Sequence, residues 1–349
     1  MTQAPPATAA PAADERVRST SALQRIMVRP ELGSLVGAIL IYVVFFVVAP
    51  TFRSSDALST ILYTSSTYGI MAVGVALLMI GGEFDLSAGV AVTTSAMTAS
   101  LLAFQFGLNV WVGIFLALVV SLAVGFLNGY LVIKTGIHSF LITLSTFFML
   151  AGLNIAVTRG LTGAVASPRI SDMDGFALAE TIFARQFTVF GITLWTTVIY
   201  WFVFVAIATW ILLRTKVGNW IYAVGGDPES ARAVGVPVAG TKIGLFMGVG
   251  FLAWFAGMHL LFRFSSVQSG EGLGNEFIFI IAAVVGGCLL TGGYGTAIGA
   301  AIGAFIYGMT RQGVVYAGWD ANLVKFFLGA MLLAATLTNL WVRKRAQGS

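Results

Sequence analysis

The sequence predicts an all-α, polytopic membrane protein of about ten spans, on three observations. Of 349 residues, 58% are hydrophobic and only 9% charged, which is more apolar surface than a soluble domain of this size can hide. Long charge-free runs match or exceed the ~20 helical residues that a ~30 Å bilayer core requires. The net charge of +5 reads, in such a chain, as Lys and Arg retained on the cytoplasmic side. Nucleic acid is therefore set aside as a partner, and membrane lipid is the expected surround.

Residues 1–30 are rich in Ala, Pro, Thr and charge and lack the apolar core of a cleaved signal peptide, so a disordered cytoplasmic tail is expected. Arg16, Arg18, Arg25 and Arg29 precede the first apolar run, Leu32 to Val48, and place the N-terminus inside. Ala57 to Ile80 forms a second span. Leu86 to Val132 carries no charge and is twice too long for one crossing; Gln105-Phe-Gly-Leu-Asn109 supplies the turn that makes it two. Gly136 to Thr158 and Phe190 to Leu213 are single spans flanking a more polar periplasmic segment, 159–188. Ile243 to Phe262 is the seventh. Phe277 to Thr310 is again too long, and Thr291-Gly-Gly-Tyr-Gly295 divides it into two short pieces, with a pair of re-entrant half-helices as the alternative. Phe326 to Val342 closes the chain, Lys325 snorkelling at one edge and Arg343-Lys-Arg345 lying beyond the other. The membrane domain is thus 31–342, followed by a cytoplasmic tail, 343–349. Ten spans return the chain to the side it started from, as two basic cytoplasmic termini require.

The same topology puts one polar stretch, Val224 to Val236, in the cytoplasm between the sixth and seventh spans, with Arg214, Lys216, Arg232 and Lys242. Asp227 is a good N-cap, Pro228 suits the first helical position, and Gly235 is placed to end the helix left-handed. A helix of about seven residues is marginal alone and should be held by docking against something, the alternative being a plain capped loop helix between two membrane spans. Within the spans, glycines recur at four-residue spacing: Gly125 and Gly129, Gly244 and Gly248, then Gly295, Gly299 and Gly303. These are faces for close helix packing. Four spans precede the periplasmic segment after the first, and four follow the polar helix, an arrangement that suits two repeated units.

Catalytic chemistry finds no home here. Cys288 is the single cysteine and lies in an apolar run, and His138 and His259 have no supporting ligand motif, so no metal and no cofactor are expected. The nearest string to a nucleotide-binding loop, from Gly129 to Thr135, lacks the second glycine. The chain is not expected to hydrolyse ATP itself.

Gly81-Gly-Glu-Phe-Asp-Leu-Ser-Ala-Gly89, Leu127-Asn-Gly129 followed by Gly136-Ile-His-Ser-Phe-Leu-Ile-Thr-Leu-Ser-Thr146, and the pair Gly225-Gly-Asp-Pro-Glu-Ser-Ala-Arg-Ala-Val-Gly235 and Val285-Gly-Gly-Cys-Leu-Leu-Thr-Gly-Gly-Tyr-Gly-Thr296 are, in this order, a pattern. It resembles the inner-membrane permease subunits of bacterial ATP-binding-cassette importers for ribose, xylose and galactose, over most of residues 57–340. His138 stands where that family commonly has proline. The resemblance implies the ABC importer permease fold in the bacterial inner membrane, two permeases (two copies or a copy and a paralogue), two cytoplasmic ATPase subunits and a periplasmic sugar-binding protein. It makes Gly225, Gly226, Asp227, Pro228, Glu229, Ala231, Arg232 and Gly235 the coupling helix that meets the ATPase. Asp85, Ser87, Asn128, Thr143, Ser145, Thr146 and Asn154 are candidates for the sugar path, against the alternative that they bond neighbouring helices. Trp195, Tyr200, Trp201 and Trp210 offer a stacking face or an interface anchor. Asp85 is either an N-cap or a charge used in transport. An ion-coupled secondary transporter is the contrasting reading, and it would need intramembrane acids or histidines that the spans nearly lack; a permease of the same architecture for amino acids or nucleosides differs only in cargo.

Overall fold

The structure, a computed structural model, describes residues 30–347, with side chains from 31 to 338. The expected N-terminal tail with its four arginines, and the side chains of Arg343, Lys344 and Arg345, lie outside the described residues. The helices are α1 (Pro30–Val48), α2 (Ser55–Ile80), α3 (Ala88–Gln105), α4 (Val110–Thr135), α5 (Ser139–Thr162), α6 (Phe176–Phe183), α7 (Thr196–Arg214), α8 (Lys216–Gly226), α9 (Pro228–Ala233), α10 (Val238–Phe264), α11 (Asn275–Val285), α12 (Ala297–Tyr316) and α13 (Leu323–Gln347). Seven of them, α1 to α5, α7 and α10, are long and apolar enough to cross a membrane.

Local chemistry sets most of the boundaries. Ser54 caps α2 by accepting from the Ala57 amide at 3.1 Å, and Asn109 caps α4 by accepting from Trp111 at 3.0 Å. The break at 106–109 is the turn expected from Gln105 to Asn109. The segment between α5 and α7 is less plain than expected. It holds α6 and an antiparallel hairpin, β1 (Gln186–Val189) and β2 (Ile192–Trp195), so the sixth span starts at Thr196 and not at Phe190. At the far end α13 continues to Gln347, past the tail boundary placed at 343.

The apolar stretch 277–310 resolves asymmetrically. The second piece, α12, is 20 residues long, but α11 has only 11, about 16 Å at 1.5 Å per residue. Small residues make this pair possible. A Cβ on Gly299 would lie 2.0 Å from the Gly286 carbonyl oxygen, and one on Gly303 would lie 1.9 Å from that of Ala282. Gly125 and Gly129 do the same for α4 against α10, at 2.5 Å from Phe246 O and 2.8 Å from Ile243 Cα. Gly244 and Gly248 do not: nothing lies within 4 Å of either, and with Gly240 they line an apolar groove of about 630 Å³ between α2, α7 and α10. The close contacts of α10 are made instead by Gly250, on Ser121 O at 2.5 Å, and Gly257, on Val92 O at 2.5 Å.

Two four-helix units emerge, α2–α5 and α10–α13, running in opposite senses. The C-terminal end of α2 reaches the face that carries α9, whereas α10 starts from it. Each unit has a broken connection after its first helix, 81–87 in one and 265–274 in the other, and the two breaks meet: a Cβ on Gly89 would lie 2.4 Å from Glu276 Oε2 and 2.6 Å from Gly272 O. Ser100, further along α3, donates to Pro168 O at the opposite face. The meeting point is therefore about 16 Å below that face, near mid-membrane, and α11 crosses only the half next to α9.

The aromatic residues expected on the sixth span are mostly engaged, and the first of them, Trp195, closes β2 instead. Trp195 carries the Arg263 guanidinium at 3.6 Å from its ring centroid, Tyr200 donates to Ile182 O at 3.1 Å, and Trp201 is buried over Gly69. Trp210 is 61% exposed, facing where lipid would be.

Candidate functional site

The site on the α9 face begins with a six-residue helix. Asp227 Oδ1 accepts from the amides of Glu229 at 3.0 Å and Ser230 at 3.2 Å, and its Oδ2 accepts from Ser230 Oγ at 2.6 Å. These three bonds, led by the Ser230 hydroxyl, hold the Asp227 carboxyl below its ordinary pKa of 3.8. Pro228 fills the first helical position, and Gly235 turns the chain out at φ +85°. Ala231, packed with Val224 and Val238, anchors the helix to its own chain. Glu229, Ser230, Arg232, Ala233 and Val234 are exposed, Val234 at 80%, so one face of α9 is open. Glu229 and Arg232 form no ion pair with each other; among the described residues the ion pair is Lys242 to Glu83.

Gly225 and Gly226, read in the sequence as part of this helix, end α8 instead. Gly225 is buried where three chain turns meet without side chains. A Cβ on it would lie 1.8 Å from Ile80 O, one on Gly292 would lie 2.7 Å from both Gly225 O and Gly82 Cα, and the Gly293 amide donates to Ile80 O at 2.8 Å. The end of α2, the end of α8 and the turn before α12 are thus clamped backbone to backbone.

Behind this junction lies a polar network built on the break 81–87. Asp85 Oδ1 accepts from the Ser87 amide at 2.8 Å and from Ser87 Oγ at 2.5 Å. Ser87 Oγ accepts from Asn128 Nδ2 at 3.0 Å, and Asn128 Oδ1 from Thr146 Oγ1 at 2.7 Å. Thr143 Oγ1 takes the Leu86 amide at 3.0 Å and Ser139 Oγ takes that of Phe84 at 3.0 Å. Five of the seven candidate path residues, Asp85, Ser87, Asn128, Thr143 and Thr146, therefore converge. Asn154 stands apart, donating to Thr94 Oγ1 at 3.1 Å, and Ser145 is exposed and bonded to Leu141 O of its own helix. The convergent groups are satisfied by one another, and a buried polar network with every member paired holds helices in register.

A cavity of about 970 Å³ opens in front of the network. Glu83, His138, Ser139, Arg232, Lys242 and Phe277 are on its wall. Asp85, Ser87 and Asn128 are not. Sequence reasoning passed over Glu83 as a wall residue although it stands two positions from Asp85; its partner Lys242 is a single basic residue near the start of α10 and carries no local signal. Among the described residues no three His, Cys, Asp or Glu gather as a metal site. His259 is held between Phe183 O at 2.8 Å and Tyr63 Oη at 3.3 Å, and Cys288 is buried and free.

The open capped helix, the backbone junction behind it and the cavity thus lie at one face of the molecule. The family described as branched-chain amino acid transport system / permease component matches residues 57–336. The chain belongs to that family. This permease is similar to the Ribose import permease protein RbsC of Escherichia coli (strain K12), 30% identical over 88% of this chain and 93% of that one. It is also similar to the Galactose/methyl galactoside import permease protein MglC of Escherichia coli (strain K12), 30% identical over 82% and 87%, and to the Fructose import permease protein FrcC of Rhizobium meliloti, 28% identical over 84% and 81%. No solved structure matches it. The permease is a multi-pass membrane protein and a transport subunit.

Proposed function

We propose that this permease moves a monosaccharide or related polyol inward across the bacterial inner membrane, driven by a cytoplasmic ATPase subunit and fed by a periplasmic sugar-binding protein, with a second permease copy or paralogue completing the pathway. The observation that carries this reading is α9. A helix of six residues, fastened by its own Asp227 and by Ala231 with its other side open, has the form of a plug for the groove of a soluble domain. Gly225, Gly226, Asp227, Pro228, Glu229, Ala231, Arg232 and Gly235 then act together as the coupling element. Lys134, Arg214, Lys216, Arg232 and Lys242 at this face, with the basic tails, make it the cytoplasmic one, and both termini are cytoplasmic.

The curated relatives named for ribose, fructose and galactose support sugar as cargo, although the family description names amino acids. The cavity at the α9 face favours the neutral cargo. Its single carboxylate, Glu83, is paired with Lys242, which leaves no acid to receive an ammonium group.

The test is uptake into proteoliposomes of labelled D-ribose, D-fructose, D-galactose and L-leucine. With ATPase, binding protein and ATP present, one of the sugars accumulates; the permease alone moves none. Accumulation by the lone chain under an ion gradient would establish a secondary transporter instead, and accumulation of leucine would overturn the cargo.

A further inference from the structure

The apolar groove of about 630 Å³ between α2, α7 and α10 has no part in the site described above. Its α10 wall carries Gly240, Gly244 and Gly248, and a Cβ on any of them would meet nothing within 4 Å. From Gly240 to Phe251 the groove follows α10 for about 16 Å at 1.5 Å per residue, the depth of one leaflet of a ~30 Å hydrocarbon core. Its wall residues Ile207, Val217 and Phe251 are exposed, so it opens sideways to the surface that lipid covers. Packed interiors leave few voids larger than a water molecule. An apolar slot of this size beside a bilayer is therefore filled by an acyl chain.

Charge at the mouth decides which lipid. At the end nearest α9 the groove is closed by α8, with Val217 and Trp220 on the wall. Lys216 is the chain neighbour of Val217, and Arg214 lies one helical turn beyond Ile211, the last α7 residue on the wall. Both cations are exposed, and neither side chain makes an ion pair or hydrogen bond among the described residues. No acidic side chain lines the groove. Lys242, the basic residue one position beyond the wall residue Thr241, is already taken by Glu83. Trp220 is half-buried, and its indole N–H also has no partner among the described residues, at the level where indoles meet headgroup and ester oxygens.

We propose that this groove binds an anionic phospholipid of the cytoplasmic leaflet, one acyl chain lying along Gly240, Gly244 and Gly248 and the phosphate held by Arg214 and Lys216. This rests on the cytoplasmic placement of the α9 face proposed above and not on the cargo. Two uncompensated cations at the mouth of an apolar slot favour a lipid with net negative charge over a zwitterionic one. Guanidinium and ammonium groups supply the donors that a phosphate accepts. The lipid so placed braces the corner between α7 and α8 against α10, and α8 ends in the Gly225 junction from which α9 hangs.

The experiment uses Trp220 as its reporter. The full-length permease is reconstituted in phosphatidylcholine vesicles containing graded fractions of phosphatidylglycerol with brominated acyl chains, which quench the indoles they touch; Trp220→Phe gives the emission to subtract. Quenching of the Trp220 component is expected to saturate at a low fraction of brominated phosphatidylglycerol, whereas brominated phosphatidylcholine quenches only in proportion to its share of the bilayer. Arg214→Gln combined with Lys216→Gln should raise the half-quenching fraction about tenfold, for two surface cations lost. Lys134→Gln, at the same face but off the groove, should leave it at the parental value. Gly248→Leu puts a side chain into the slot, so quenching by both lipids falls while the melting temperature holds or rises. Equal quenching by the two lipids, or a parental half-quenching fraction in the double variant, shows ordinary contact with bulk bilayer and overturns the site. No quenching of Trp220 by either lipid shows the groove to be covered by protein, a second permease copy included, and overturns it as well. Sugar uptake enters none of these readouts, so the import reading stands or falls separately.

Discussion

Asp85 is not the N-cap of α3, a position that Ser87 holds; it stands two residues earlier, where it closes the turn by accepting the Ser87 amide at 2.8 Å and is 3% exposed. An Asn side-chain oxygen can accept the same amide, whereas Ala leaves it without that partner, at a cost of about 1 kcal/mol. Asp85→Asn is therefore expected to keep assembly and uptake, and Asp85→Ala to lower the melting temperature and uptake together. Loss of uptake in the Asn variant with an unchanged melting curve would show that the charge itself serves transport. Asp227 makes a different prediction, because it is exposed and its pKa is depressed by its hydrogen bonds. A carboxyl with a lowered folded pKa contributes to the helix above its ordinary pKa, and the contribution fades as pH falls through the lower folded value. Hydrogen-exchange protection of the Glu229 and Ser230 amides should thus persist at neutral pH and decline only below pH 3.8, while Asp227→Ala lacks it throughout. Glu229 is open to solvent three residues before Arg232 and not paired with it, which leaves it free for the ATPase contact proposed above. Glu229→Lys should leave ATP hydrolysis running and uptake reduced; parental coupling in an assembled variant would remove Glu229 from the contact.

At the scale of the elements, the glycine pair before α9 separates two roles that adjacent letters conceal. Gly225→Ala drives a Cβ to 1.8 Å from a backbone oxygen, and a backbone cannot step aside as a flexible side chain can. The expected loss is roughly 3 kcal/mol, the upper end for overpacking, seen as a lower melting temperature or failed assembly. Gly226→Ala meets nothing within 4 Å and should be neutral. If the two variants melt alike, the three turns are not clamped as described. Nothing in the sequence distinguishes these neighbours, since only the packing of residues far apart in the chain decides which one is enclosed. Span positions were legible for the opposite reason: a run such as Leu86 to Val132 is bounded by a physical length, the bilayer's. The caps of α9 were legible because Asp227, Pro228 and Gly235 act within one turn of themselves. The hairpin at 186–195 was not, being short and apolar like the span it precedes, and the length of α11 was hidden because 265–274 descends into the membrane beside Gly89. Pairings such as Glu83 with Lys242 belong to contacts between distant segments and leave no local trace.

Over the whole molecule the two oppositely running units meet near mid-membrane, and each donates a broken connection to the meeting point. One break, 81–87, is filled with mutually satisfied polar groups and joined to Lys242; the other, 265–274, borders open space and carries the exposed Glu271. The first is suited to staying put and the second to changing. The helix that follows the second break is about 16 Å long, half of a ~30 Å hydrocarbon core, and it packs among α2, α12 and α13. Full-length helices tilt or strain when acyl chains are lengthened or shortened, at a modest cost per ångström of mismatch. α11 has no second membrane surface to match, so bilayer thickness has little grip on it. In vesicles graded by lipid chain length, the melting temperature of the permease should vary with thickness while sugar moved per ATP stays nearly constant: the lipid holds the frame, and the half-length helix inside it goes by protein contacts alone.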